Sequence, residues 1–154
     1  MIGVSAFVAG DVARGASGLW MTLILLMTAC LIVWRVVTFP SVTVQSIYGA
    51  VSAYMIIGLM FASLYGAMYY LGHRVFFAQA TATATPSLFQ YFSFTTLTTL
   101  GYGDFTAVTN SGRAFAMIEA ITGQIFLATL VARLVAAFRP RRDREDDGDR
   151  APGE

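Results

Sequence analysis

Between Met1 and Phe138 only eight side chains carry a charge, five of them arginines and three of them acids. No lysine occurs anywhere in the 154 residues. A water-facing protein surface needs roughly a quarter of its residues charged, so the body of this chain must be solvated by lipid. The other five arginines and six acids crowd into the stretch from Arg139 to the end. Overall figures of 56% hydrophobic and 12% charged residues therefore understate the contrast between body and tail. A net charge of +1 provides no basic face for nucleic acid, and the single Cys30 excludes a disulfide framework.

A helix needs about 20 mostly apolar residues to cross a bilayer. Residues 15–34, 47–71 and 114–138 meet that requirement, the last with Glu119 and Arg133 as its only charges. The first predicts a transmembrane helix within an N-terminal segment, residues 1–45. Residues 1–10 are apolar but too short to span, and Gly3, Gly10, Gly15 and Gly18 weaken helix around them; they read as the end of a longer helix. A secretory signal is the competing reading, because an apolar run after Arg14 ends Met27-Thr28-Ala29-Cys30. Apolar residues continue to Val33 without the polar break that cleavage needs, so Cys30 reads as a lipid- or core-facing side chain. Arg133, Arg139, Arg141, Arg142 and Arg144 cluster at the end of the last span. Positive charge accumulates on the cytoplasmic side, which predicts a multi-pass protein of the cell membrane with its C-terminus inside. Residues 139–154 are charge-, Pro- and Gly-rich and lack apolar periodicity, the composition of a disordered tail.

Residues 75–103 are apolar in a different way. They are dense in Thr, Ser, Tyr and Phe, alternate Ala and Thr at 80–85, and end in a glycine cluster. Irregular backbone survives at membrane depth only where protein buries it or where it lines a watery cavity, and a re-entrant segment satisfies that rule. Thr85 suits an N-cap and Pro86 a first helical position. A helix over 87–98 would run about 18 Å, and its C-terminal end would place the negative pole of the helix dipole toward a cation. At the narrowest point of a pore, a dehydrated cation needs oxygens in place of water, and backbone carbonyls supply them without holding the ion too tightly. Turning successive carbonyls to one side requires backbone conformations open mainly to glycine. Gly101 and Gly103, alternating with Tyr102, provide them. Thr99 would add a hydroxyl below the carbonyls, with Leu100 and Tyr102 pointing away from the ion.

Through Thr96, Thr98, Thr99, Gly101, Tyr102, Gly103 and Asp104, the chain resembles the potassium-channel pore-loop family, whose filter reads Thr-Val-Gly-Tyr-Gly. The resemblance implies an all-α membrane protein in which residues 46–138 form an outer helix, a re-entrant pore helix with its filter, and an inner helix. It implies that Thr99, Leu100, Gly101, Tyr102 and Gly103 bind the ion, with K+ held at Thr99, Leu100, Gly101 and Tyr102 as permeant species and no cofactor. Filter support is expected from Tyr91, Thr95, Thr96, Thr98 and Asp104. Three positions depart from the family. Leu100 replaces Val or Ile, which leaves the carbonyl unchanged. Thr95 stands where some members have a Glu paired to the filter Asp, and Tyr91 and Phe92 stand where many have two Trp. The network behind the filter must then be rebuilt from Tyr91, Thr95 and Thr96: Tyr91 and Thr95 would hold Asp104, and Thr96 would hold Tyr102. Phe92 and Phe94 would join Tyr91 in bracing Tyr102. Gly123 follows Gly103 at the spacing of the family's hinge glycine, although a glycine in a membrane helix also serves close packing. Helical spacing sets Gln124, Leu127 or Ala128, Val131 and Val135 on one face, the expected cavity lining. Glu119 is expected to pack, neutral or hydrogen-bonded, against the pore helix, and His73 to be solvated.

The first span carries no repeated arginines of a voltage sensor, and no nucleophile–base pair or metal cluster suggests an enzyme. The reading is a pore-forming subunit of a potassium-selective channel. One pore loop supplies a quarter of a filter, so a homotetramer in lipid is expected. The alternatives are a non-conducting or truncated subunit that assembles with heteromeric partner chains, and a pore-loop cation transporter. A transporter of that type would repeat the motif within one chain.

Overall fold

The computed structural model describes residues 2–38, 44–72, 76–79 and 84–137. Residues 39–43, His73, Arg74, the Ala-Thr repeat at 80–83 and the charged tail lie outside the described residues. Among the described residues there are four helices: α1 (Ile2–Thr38), α2 (Val44–Leu71), α3 (Pro86–Leu97) and α4 (Asn110–Ala137). Three of them contain stretches long and apolar enough to cross a membrane, Ala9–Arg35, Ile47–Leu71 and Asn110–Ala136. The chain is an all-α integral membrane protein. The short α3 lies between the second and third spans.

The glycines near the start of α1, expected to weaken helix there, do not break it, and residues 2–10 are continuous with the first span. The helix runs unbroken from Ile2 because lipid offers its backbone no other hydrogen-bond partner. Two of its glycines also have a packing use. A Cβ at Gly15 would meet the Leu71 side chain at 2.5 Å, and one at Gly18 would meet the Ala67 Cβ at 3.1 Å. Small residues thus let α1 and α2 approach closely, the usual source of helix association where no hydrophobic effect separates helix from lipid. At the same end Arg14 lies over the Tyr70 ring, 5.9 Å from its centroid. The opposite face of α1 exposes Trp20, Leu23, Ile24 and Met27, and Cys30 is exposed with them.

α2 is the centre of the bundle, and it contacts each of the other three helices. Its residues Tyr54, Ile57, Phe61 and Tyr65 are buried at helical spacing. Around Tyr65 gathers an aromatic cluster drawn from distant parts of the chain. Phe76 and Phe92 each stand with ring centroids 5.2 Å from Tyr65, Phe77 meets Phe76 edge-on at 4.9 Å, and Phe89 stacks on Phe77 at 5.6 Å. These offset and edge-to-face arrangements add to the burial energy of each ring. The segments on either side of the re-entrant stretch are joined by an isolated antiparallel bridge between Phe77 and Ala107. Ala78 N donates to Thr106 O and Val108 N to Phe76 O, and the Gln79 amide accepts from Thr106 N at 3.0 Å. The Thr109 hydroxyl then caps α4 by accepting from Gly112 N at 3.0 Å.

Candidate functional site

α3 begins as the sequence predicts, with Thr85 extended (φ −96°, ψ 157°) and Pro86 in the first turn. The cap is made by backbone alone. The Thr85 carbonyl accepts from Leu88 N and Phe89 N, while its hydroxyl pairs with Ser87 Oγ at 2.9 Å. The helix ends at Leu97, one residue earlier than expected, and Thr98 is its C-cap. Gly101 N then reaches back to the Thr95 carbonyl at 3.0 Å, which fixes how the following segment leaves the helix.

Along that segment φ is positive at Thr99 (57°), Gly101 (47°) and Gly103 (80°), with Leu100 and Tyr102 in ordinary conformations between them. Alternating hands cancel the winding that either hand alone would produce, so the backbone extends and successive carbonyls can share one side. A Cβ at Gly101 or Gly103 would meet nothing within 4 Å; glycine is needed there for its φ and not for space. Thr99 has no such freedom. A left-handed conformation costs an L residue roughly 1–2 kcal/mol, and a β-branched one is rarely found there. Two hydrogen bonds offset the strain: the Thr99 hydroxyl donates to Thr98 O at 2.7 Å and accepts from Gln124 Nε2 of α4 at 3.2 Å.

Behind this segment the Tyr91 hydroxyl donates to Asp104 Oδ2 at 2.8 Å, and Phe105 N donates to Oδ1 of the same carboxylate. The hydrogen bond to Asp104 raises the Tyr91 phenol above the ordinary tyrosine value, so it remains a donor through neutral pH. The Tyr91 ring lies parallel to Tyr102 with centroids 6.4 Å apart. Thr95 and Thr96 do not take the parts expected of them. Both hydroxyls donate to the Phe92 carbonyl, at 3.0 and 2.8 Å, and Thr98 donates to Phe94 O at 2.7 Å. A threonine inside a helix finds its own preceding turn closer than any tertiary partner. Thr95 therefore serves through its backbone carbonyl, and neither Thr95 nor Thr96 holds Asp104 or Tyr102 through its side chain. Phe92 belongs to the aromatic core and Phe94 lies against Gly58, so of the three aromatics only Tyr91 touches Tyr102 among the described contacts.

On α4, Gly123 is buried where a Cβ would run into the Leu97 carbonyl. Close approach to the end of α3 is sufficient reason for this glycine, and α4 continues through it without a break. Gln124, one residue on, reaches Thr99. Leu127, Val131 and Val135 continue its face and are exposed on the single chain. Glu119, one turn before Gly123, is fully buried. Tyr65 donates to its Oε2 at 2.6 Å, and Ser93 forms a short hydrogen bond with Oε1. Sequence reading placed Glu119 against α3 but missed both partners. Ser93 and Tyr65 are 26 and 54 residues away, and nothing local marks either as anything but a small or aromatic residue in an apolar helix.

A family described as ion channel matches this chain over residues 42–139, well over half its length. Comparison with curated proteins and with solved structures returns no match.

Proposed function

The chain belongs to the ion-channel family, and from that membership we propose that it is the pore-forming subunit of a potassium-selective channel. The observation that carries the reading is the positive φ at Thr99, Gly101 and Gly103, every second residue of Thr-Leu-Gly-Tyr-Gly. A ladder of carbonyls that replaces an ion's hydration shell requires such a backbone. The carbonyls of Thr99, Leu100, Gly101 and Tyr102 bind K+ in file, with the Thr99 hydroxyl at the lower end and Gly103 closing the upper. Transport is passive.

Four copies complete the pore. In the single chain Tyr102 is 67% exposed and Leu100 55%; large apolar side chains beside an ion path are left bare unless a neighbouring subunit covers them. The exposed face of Leu127, Val131 and Val135 turns toward the same axis. The C-terminus is cytoplasmic by the arginine bias, and the protein resides in the cell membrane.

Protein reconstituted into liposomes under an outward potassium gradient tests the proposal. Potassium flux far above sodium flux, with block by external barium, is expected. Comparable flux of the two cations would remove the filter assignment. Absence of any flux from a tetrameric preparation would favour a subunit that assembles without conducting.

A further inference from the structure

The carboxyl of Glu119 sits where α2, α3 and α4 meet, and its contacts fix its proton inventory. Tyr65 Oη lies 2.6 Å from Oε2. Ser93 Oγ touches Oε1 and is also 2.7 Å from the Gly58 carbonyl oxygen. Three close oxygen–oxygen contacts therefore need three protons. Tyr65 has one to give and Ser93 one, whereas a backbone carbonyl can only accept. An ionised Glu119 would supply none. Ser93 would then leave either the Gly58 carbonyl or a carboxylate oxygen facing its lone pairs, in a site closed to water. Both carboxyl oxygens are met by hydroxyls and not by a cation, so nothing in these contacts offsets the cost of a buried charge.

We infer that Glu119 is a protonated carboxylic acid whose proton completes a directed chain: Oε1–H donates to Ser93, Ser93 donates to the Gly58 carbonyl, and Tyr65 donates to Oε2. The chain ties the inner helix to the pore helix and both to the outer helix. It lies one helical turn from a second set of contacts. Ser93 and Leu97 are four apart on α3, Glu119 and Gly123 four apart on α4, and Tyr54 and Gly58 four apart on α2, so each pair shares a helix face. At the second level Tyr54 Oη donates to Leu97 O at 3.1 Å, and Gly123 leaves room for that carbonyl. Glu119 is thus a positioning residue. It sets where α3 ends, and so where Thr99 begins the strained segment. The protonation stands apart from the channel reading; only its consequence for conduction rests on that reading.

Infrared difference spectroscopy of the assembled protein at neutral pH, parent minus Glu119→Gln, tests the assignment. A carbonyl stretch of a protonated carboxylic acid should be present in the parent and lost in the variant. The carboxamide keeps a donor for Ser93 and an acceptor for Tyr65, so Glu119→Gln should melt close to the parent while Glu119→Ala melts well below it. Should Glu119→Gln fail to assemble, Ser93→Ala provides the second reading: it removes the acceptor of the carboxyl proton, and the band should shift without disappearing. A parent spectrum with no protonated-carboxyl band, or a band unmoved by both substitutions, would overturn the inference. In flux measurements Glu119→Gln should conduct like the parent and Glu119→Ala should lose selectivity. A non-conducting parent that retains the band would sink the channel reading and leave the proton in place.

Discussion

Tyr91 reaches Asp104 because the chain, after climbing from Thr99 to Gly103, returns alongside the middle of α3. The three threonine hydroxyls nearby, Thr95, Thr96 and Thr98, bond back to their own helix, and the Tyr91 hydroxyl crosses to Asp104. Tyr91→Phe should therefore accelerate the decay of current during sustained opening by several-fold, with recovery in high external potassium. Thr96→Val should leave decay unchanged, because its hydroxyl serves only the preceding turn. Recordings from reconstituted protein, with both variants beside the parent, decide between them. Equal decay in Tyr91→Phe and parent would discard the brace. The same contact has a pH signature. A phenol raised by its hydrogen bond to Asp104 holds its proton more tightly in the folded state. Its contribution is complete below the ordinary tyrosine value, about 10, and is lost as pH rises through the higher folded value. Decay should accordingly be flat from neutral pH to about 10 and quicken only beyond it.

Among the helices, two glycines that look alike in the sequence have different physical duties. Gly101 holds a left-handed φ with open space around it, whereas Gly123 is helical and pressed against the Leu97 carbonyl. Gly101→Ala should cost about 1–2 kcal/mol in each chain through backbone strain alone, and it should abolish the extra stability that potassium confers. Gly123→Ala pushes α4 away from α3 and should cost about 1–3 kcal/mol through overpacking, yet retain the potassium-dependent increment. Thermal melts of both variants in potassium and in sodium would separate the two effects. If Gly123→Ala melted like the parent, the close contact would be irrelevant and a bending role would be the better account of that glycine.

On the proposed reading one chain is a quarter of the molecule, and its exposed side chains are where that reading can be tested. α2 buries one face in the core and leaves Tyr48, Val51 and Met55 exposed, while α4 exposes Met117, Ile118, Ile121 and Ile125 as well as the face continuing from Gln124. Lipid can cover the outward side of a helix, but not side chains next to a water-filled path. In mild detergent the protein should run as a tetramer. Potassium, if it binds the proposed filter and not the unfolded chain, should raise its melting temperature above that in sodium. An ion at a hundred times its dissociation constant contributes about 2.7 kcal/mol. A monomer at every concentration, with identical melts in the two salts, would rule out the tetrameric pore.

The three spans, the short helix α3 and the need for glycine at 101 and 103 could be read from residues in a row, because each rests on a local requirement. Length and apolarity decide what crosses lipid, Pro86 fixes where α3 begins, and glycine takes the positive φ at 101 and 103 without the strain that Thr99 bears. The Tyr91–Asp104 pair was legible for a similar reason, since a resemblance fixed both positions and few other donors were at hand. The failures share a cause as well. Whether a threonine bonds to its own helix or across to Asp104 depends on which oxygen the fold brings closer, and composition is silent on that. That Gly15 and Gly18 serve close packing shows only once α2 lies against them. The junction of Glu119 with Ser93 and Tyr65 is assembled from three helices far apart in the chain, and only packing them to contact could decide that a buried acid would meet two hydroxyls and keep its proton.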